Sequence, residues 1–145
     1  MRLPQTAEYA IRVMAYMAML PEHRPVRSKD LSEATTIPSH YLSKVLRKLV
    51  TAGLLRSRKG HQGGFVFARP KGEIAIIDIL DAMQYDYDPE NCMFGWGRCS
   101  IHSPCPMHEI WSEMKQSFID WAQKHTLADV RLQDDANCPL PLPAV

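Results

Sequence analysis

The chain has 145 residues, 46% of them hydrophobic, which fits one domain or a small domain with an appendage, and it contains no run of eighteen apolar residues of the kind that spans a membrane. Glu8 and Arg12 interrupt the apolar face of the first segment, so no signal peptide is expected and the protein is read as cytoplasmic, where four cysteines are ligands or reactive thiols rather than bridges. The net charge of +1 conceals a strong asymmetry, because residues 24 to 71 hold eleven Lys/Arg against only Asp30 and Glu33, and the remainder holds six against fourteen. A basic block of that size is the footprint of a polyanion, with nucleic acid foremost; a solvated surface would mix both signs.

Residues 5 to 20 place Tyr9, Ala10, Val13, Met14, Met17 and Leu20 at steps of three and four, which predicts an amphipathic first helix. Glu8 falls in its first turn, where a carboxylate is favoured by the helix dipole. Pro21 and Pro25 break the pattern, and Ser28 is the expected N-cap of a short second helix through Leu31 and Ala34. Thr36, Ile37 and Pro38 form a tight turn into a third helix, with Leu42, Val45, Leu46, Leu49 and Val50 as its buried stripe and Gly53 at its end. The opposite face shows His40, Lys44, Arg47, Lys48 and Thr51, giving the pattern of a helix-turn-helix. A plain basic surface helix is the alternative.

The next segment favours the DNA-binding reading. Leu54 to Arg58 and Phe65 to Ala68 read as two short strands around the glycine-rich tip Lys59-Gly60-His61-Gln62-Gly63-Gly64. A hairpin directly after a recognition helix is the order of a winged helix-turn-helix. Gly63 and Gly64 would allow close approach to phosphates, and Arg58, Lys59 and His61 would supply charge or narrow-groove contacts. A nucleotide-binding loop is disfavoured, since no G-K-[ST] and no helix follow. Ser39, His40, Tyr41 and Lys44 open the third helix and are expected at base edges; Arg47, Lys48, Arg58 and Lys59 are expected at phosphates, with Arg27 and Ser28 as further backbone contacts.

Ile74 to Met83 is a short apolar helix expected beneath the wing, and Tyr85 to Asn91 is an acidic connector. Then comes C-M-F-G-W-G-R-C-S-I-H-S-P-C-P-M-H, residues 92 to 108, in which Cys92, Cys99 and Cys105 are separated by six and then five residues. Thiolates are soft ligands for iron-sulfur clusters, zinc or copper(I), and Gly95 and Gly97 let the backbone bend around a bulky group. The absence of a CxxC pair counts against a zinc ribbon. Structural zinc with His102 or His108, a redox disulfide and unrelated thiols are the alternatives, with cluster ligation favoured; Cys138 in the tail reads as a stray thiol. Met107, Trp111, Met114, Phe118, Trp121 and His125 follow as an a/d seam, expected to pair two copies of the chain, with packing inside one chain as the alternative. Leu127 onward fades into Asp/Asn/Pro-rich sequence ending P-L-P-L-P-A-V, expected to be poorly ordered.

Together these residues resemble the IscR and NsrR type of bacterial winged-helix iron-sulfur transcriptional regulators. The resemblance rests on M-R-L-x-x-x-x-E-Y-A, on H-Y-L-S-K-V-L-R-K-L-V-T-A-G-L-L-R-S-R-K-G-H-Q-G-G-F, on the three cysteines and on T-L-A-D-V at 126 to 130, and it runs from residue 1 to about 131. It implies a mainly α fold with a small β-hairpin: a winged helix-turn-helix over 1–84, a connector and cluster-binding loop over 85–106, a dimerisation helix over 107–131 and a tail over 132–145. It implies a homodimer on a pseudo-palindromic operator in double-stranded DNA, with Cys92, Cys99 and Cys105 as thiolate ligands. The fourth ligand is His108, as in IscR-like 2Fe-2S members, or Glu8 of the partner subunit, as in NsrR-like 4Fe-4S members, and this chain has both. The function expected is a repressor governed by a labile cluster that senses nitric oxide, redox state or iron-sulfur status. A winged-helix regulator with zinc or a thiol switch is the second reading. An electron-transfer module is disfavoured, because the basic helix and wing would have no role and no nucleophile, base and orienter set is present.

Overall fold

The structure, a computed structural model, describes residues 3–88, 90–100 and 102–130. Five helices and one hairpin follow in the order α1 Gln5–Met19, α2 Ser28–Thr35, α3 Ser39–Thr51, β1 Leu55–Arg58, β2 Gly64–Phe67, α4 Ile76–Ala82 and α5 His108–Lys124, with 3₁₀ turns at Lys71–Glu73 and Leu127–Asp129. The fold is mainly helical with a two-stranded antiparallel sheet.

Helix α1 buries Ala7, Ala10, Val13, Met14, Met17 and Ala18 and packs on α2, α3 and α4. Helix α2 begins one position earlier than expected: Arg27, not Ser28, is the N-cap, Ser28 is the first helical residue, and no side chain caps the helix. Thr36 ends α2 in the left-handed conformation (φ 55°), and the Ser32 hydroxyl donates to the Ile37 carbonyl at 2.7 Å, holding the turn into α3. At the far end of α3, Gly53 (φ 73°) donates to Val50 O and Leu54 to Leu49 O, both at 3.0 Å. That pair of bonds satisfies two terminal carbonyls and turns the chain directly into β1.

The hairpin pairs Leu55 with Phe67 through Arg58 with Gly64. Val26 adds a third-strand stub, exchanging two backbone bonds with Phe65 at 3.0 and 2.8 Å. Helix α4 does not lie beneath this wing as the sequence led us to expect; it packs against α1, α3 and α5. Its Ile76, Ile79 and Leu80, together with Ile74, complete a core shared with α1 and α3.

The segment after α5 departs most from expectation. Asp129 Oδ2 accepts from Thr126 N–H at 2.8 Å and Thr126 Oγ1 accepts from Ala128 N–H at 3.3 Å, a reciprocal cap for the last 3₁₀ turn. Leu127, 1% exposed, inserts into the core, and its N–H bonds Ile74 O at 2.9 Å. Burial of such a side chain is worth about 2 kcal/mol, enough to fix this segment against its polar composition. The tail over 132–145, with Cys138, lies outside the described residues.

Helix α5 divides the expected seam between two faces. Ile119 and Ala122 are buried and Phe118 is half-buried, edge-on to Tyr85 with ring centroids 6.3 Å apart. Met107, Ile110, Met114 and Trp121 form a separate exposed stripe.

Candidate functional site

Residues Ser39, His40, Tyr41, Lys44, Arg47 and Lys48 all lie on the exposed face of α3, opposite Leu42, Val45, Leu46 and Leu49. Helical periodicity alone separates the two sets, so four buried aliphatics hold a cationic face outward. Tyr41 stacks obliquely on His40 (4.2 Å between centroids) and meets Tyr9 of α1 edge-on at 6.2 Å. Ser39 Oγ lies 3.3 Å from Ser32 Oγ, tying the first turn of α3 to α2. Ser28, Arg47 and Phe65 border one open groove between α3 and the hairpin.

Arg58, Lys59 and His61 are exposed at the hairpin tip. Arg27 Nη2 donates to the His61 carbonyl at 2.6 Å, so the tip is braced from the start of α2. Gly63 and Gly64 owe their identity to the protein's own backbone. A Cβ on Gly63 would overlap the Arg58 carbonyl oxygen and lie 2.8 Å from Gly60 O. One on Gly64 (φ 147°) would lie 2.6 Å from Val26 O.

The cysteine loop is a short knuckle fastened to α5. Asn91 and Arg98 form an antiparallel bridge, Cys92 N–H bonds Gly97 O at 2.8 Å, and Cys99 N–H bonds Glu90 O at 2.7 Å. Arg98 reaches back to Asp88 at 3.0 Å and Glu90 at 3.4 Å. This folding sets Cys92 and Cys99 side by side. Phe94 N–H points at Cys92 Sγ (3.4 Å) and, with the N–H groups of Trp96 and Gly95, draws that thiol below its ordinary pKa. Burial, then the neighbouring Cys92, pushes the Cys99 thiol up. Cys105, close enough to help raise the Cys99 thiol, sits at the turn where its carbonyl accepts from His108 N–H at 3.0 Å.

Sequence reasoning missed the fastening itself. Lys115 Nζ donates to the carbonyls of Asp88 (2.6 Å) and Asn91 (3.0 Å), Trp111 Nε1 donates to Asn91 O at 3.0 Å, and the Lys115 ammonium lies 5.3 Å from the Trp111 ring centre. Only the spacing of four between Trp111 and Lys115 on one helix face hinted at the pair.

Three observations bear on an inorganic group at this loop. The donors are soft thiols, one of them already surrounded by N–H groups that stabilise sulfur anions. His108 Nδ1 is buried with no hydrogen-bond partner, an orphan at the edge of the loop. Among the described residues, however, no three His, Cys, Asp or Glu side chains of the chain converge on a common point, and Glu8 sits half-exposed in the first turn of α1. The donor set fits a thiolate-bound group; closing around it requires Cys105 to join the Cys92–Cys99 pair.

The sequence model of the Rrf2 family, described as iron-dependent transcriptional regulators, matches residues 3–132. The chain belongs to the Rrf2 family. An HTH-type transcriptional regulator of Aquifex aeolicus is 32% identical over 127 residues, covering 86% of this chain and 88% of that one. The regulator IscR of Cronobacter sakazakii is 28% identical over 130 residues, covering 90% and 80%. The solved structure of CymR, the global cysteine regulator of B. subtilis, superposes with a TM-score of 0.75 at 19% identity, covering 90% and 95%, a likeness of fold. This Rrf2 chain is accordingly a DNA-binding transcriptional regulator and not an enzyme. Among its described residues no helix is long and apolar enough to cross a membrane.

Proposed function

We propose that this Rrf2 protein is a homodimeric repressor whose grip on a pseudo-palindromic operator is controlled by a labile iron-sulfur cluster, held by Cys92, Cys99 and Cys105 with His108 or the partner subunit's Glu8 as fourth ligand. The observation that carries the reading is the knuckle: two thiols set side by side by the Asn91–Arg98 bridge, one of them the target of backbone N–H groups, while at the start of α5 the imidazole nitrogen of His108 is buried without a partner. When bound, such a cluster supplies an iron corner open to nitric oxide, oxygen or exchange, because nitrogen or oxygen donors bind iron less firmly than sulfur. The chain's own part is to hold Cys92 and Cys99 ready, to bring Cys105 in from the start of α5, and to oppose the negative charge of the thiolates with the Lys115 ammonium. Ser39, His40, Tyr41 and Lys44 read bases, and Arg47, Lys48, Arg58, Lys59 and His61 engage the backbone.

Side-by-side Cys92 and Cys99 also favour a second reading, in which the pair is a dithiol switch or, with a histidine, a zinc site. Anaerobic purification separates the two. Brown protein with stoichiometric iron and acid-labile sulfide supports the cluster; colourless protein containing only zinc, or carrying a reversible Cys92–Cys99 disulfide, supports the second. His108→Ala and Glu8→Ala, compared for loss of colour under nitric oxide, identify the fourth ligand.

A further inference from the structure

A cavity of about 300 Å³ lies between the C-terminal end of α1, the connection to α2 and the hairpin. It involves neither the cysteine loop nor the exposed face of α3. Met17, Leu20, Val26, Val66 and Phe67 give it apolar walls, and Arg24, Arg56, Arg69 and Lys71 stand around it. Two of these cations are already engaged. Lys71 Nζ lies 3.7 Å from Glu22 Oε1 and donates to Ala18 O at 3.2 Å, and Arg69 Nη2 lies 3.6 Å from Asp78 Oδ2. Among the described residues, Arg24 and Arg56 have no carboxylate partner.

Two unpaired guanidinium groups beside apolar walls specify their complement: a carboxylate, sulfonate or phosphate head on a compact apolar body. His23, at the rim, adopts φ 62° within the turn that Arg24 N–H closes onto Pro21 O at 3.4 Å.

We infer that this cavity is an effector site for a small organic anion with an apolar body, and that its occupancy sets the position of the wing. Val26, a wall of the cavity, carries both backbone bonds to Phe65, and the adjacent Arg27 braces the His61 carbonyl. Val66 and Arg56, another part of the wall, are cross-strand partners within the hairpin. A ligand that displaces Val26 or Val66 therefore moves Arg58, Lys59 and His61 relative to α3, and by linkage DNA must alter ligand affinity by the same factor.

The test titrates the full-length protein with 8-anilinonaphthalene-1-sulfonate and with uncharged N-phenyl-1-naphthylamine, which has the same apolar body. One saturable site per chain is expected, at least about tenfold tighter for the sulfonate, a difference on the scale of one charge-assisted contact. Arg24→Gln/Arg56→Gln should remove that preference, and Leu20→Trp, filling the cavity from a half-buried position, should displace both probes. Cooperative melting of each variant guards against probe uptake by loosened protein, and the double glutamine variant remains decisive if Leu20→Trp fails to fold. Replacing Cys92, Cys99 and Cys105 by serine should leave probe binding unchanged, separating this site from the cluster. Absence of saturable binding, binding indifferent to the glutamine variants, or glutamine variants that weaken DNA affinity alone would each overturn the inference, the last by making Arg24 and Arg56 phosphate contacts.

Discussion

Gly64→Ala tests whether the wing is held by the backbone packing seen at Val26. The new methyl carbon would sit 2.6 Å from Val26 O and 2.7 Å from Val26 C, and φ 147° is itself unfavourable for alanine. The chain will choose the cheaper of overlap or release of the Val26 stub, so release sets the ceiling. Release forfeits two backbone hydrogen bonds at about 1 kcal/mol each, and residual strain adds about another 1 kcal/mol. The sum, about 3 kcal/mol, is roughly two orders of magnitude in local opening. Hydrogen exchange followed by NMR reads it directly, because the Val26 and Phe65 amides protect each other and should both exchange about a hundredfold faster. Gly60→Ala is the control. Its φ of 107° is also strained, but nothing lies within 4 Å of its Cβ position, so those two amides should stay protected. Protection of Val26 and Phe65 within about threefold of wild type in Gly64→Ala would refute the reasoning, since that shift is under 1 kcal/mol.

The remaining predictions concern charge and packing. Lys59→Ala should weaken binding to all DNA sequences alike and reduce the salt slope by about 1, whereas Lys44→Ala should cost about 1–3 kcal/mol on a selected operator and relax its sequence preference, both read by fluorescence anisotropy across a salt series. Trp121→Glu, on the exposed stripe of α5, should leave circular dichroism intact and raise the dimer dissociation constant about a hundredfold by sedimentation; an unchanged dimer would remove the stripe from the interface. Lys115→Met keeps the aliphatic stem but loses both carbonyl contacts, and should speed hydrogen exchange of the Cys99 amide, which bonds Glu90 O, about tenfold in apoprotein, the scale of one lost charged hydrogen bond. The Asp88 carboxyl is held below its ordinary value, first by the Glu90 N–H and then by Arg98, so its contribution is complete above about pH 4 and is lost as pH falls through the depressed value. The Glu90 amide should report that opening in an acid NMR titration.

Much of the reading head was legible in the sequence. The aliphatics of α3 recur at helical steps, its end is marked by glycine, and the hairpin tip by a glycine cluster, so these elements lie within a residue or two of their expected places. The purpose of Gly63 and Gly64 was not legible, because the atoms they spare belong to backbone carbonyls and to Val26, whose single-residue bridge has no periodic signature. For the same reason Lys115 was overlooked: it binds carbonyls of Asp88 and Asn91, and any residues could supply them. The cap Thr126-Leu127-Ala128-Asp129 was not read, because the polar composition from Leu127 onward set the expectation of disorder. The stripe on α5 serves more than one neighbour: Phe118 turns toward Tyr85 within the chain, while Trp121, three residues on, lies exposed, a division that spacing alone does not show. Spacing located the cysteine loop, and only the backbone bonds of the knuckle show that Cys92 and Cys99 are set side by side.

The two routes by which the proposed cluster could reach the reading head differ in mechanical length, and the difference is built into α1. Tyr9, the residue after Glu8, meets Tyr41 at the N-terminal end of α3, and Arg12, one turn on, lies over the Tyr9 ring (5.6 Å) and donates to the Thr35 carbonyl at 3.4 Å. The first turns of α1 thus contact both sides of the turn between α2 and α3. A force applied at Glu8 has one rigid element to cross before it tilts the recognition helix. A force applied at His108 must instead pass along α5 and through its packing on α4 before reaching α3. Close-packed cores transmit small displacements as discrete repacking, and each extra interface is another place where the displacement can be absorbed. Ligation at Glu8 would therefore couple strongly to the recognition helix and ligation at His108 weakly, so in the proposed regulator the fourth ligand would decide how steeply loss of the cluster changes DNA affinity.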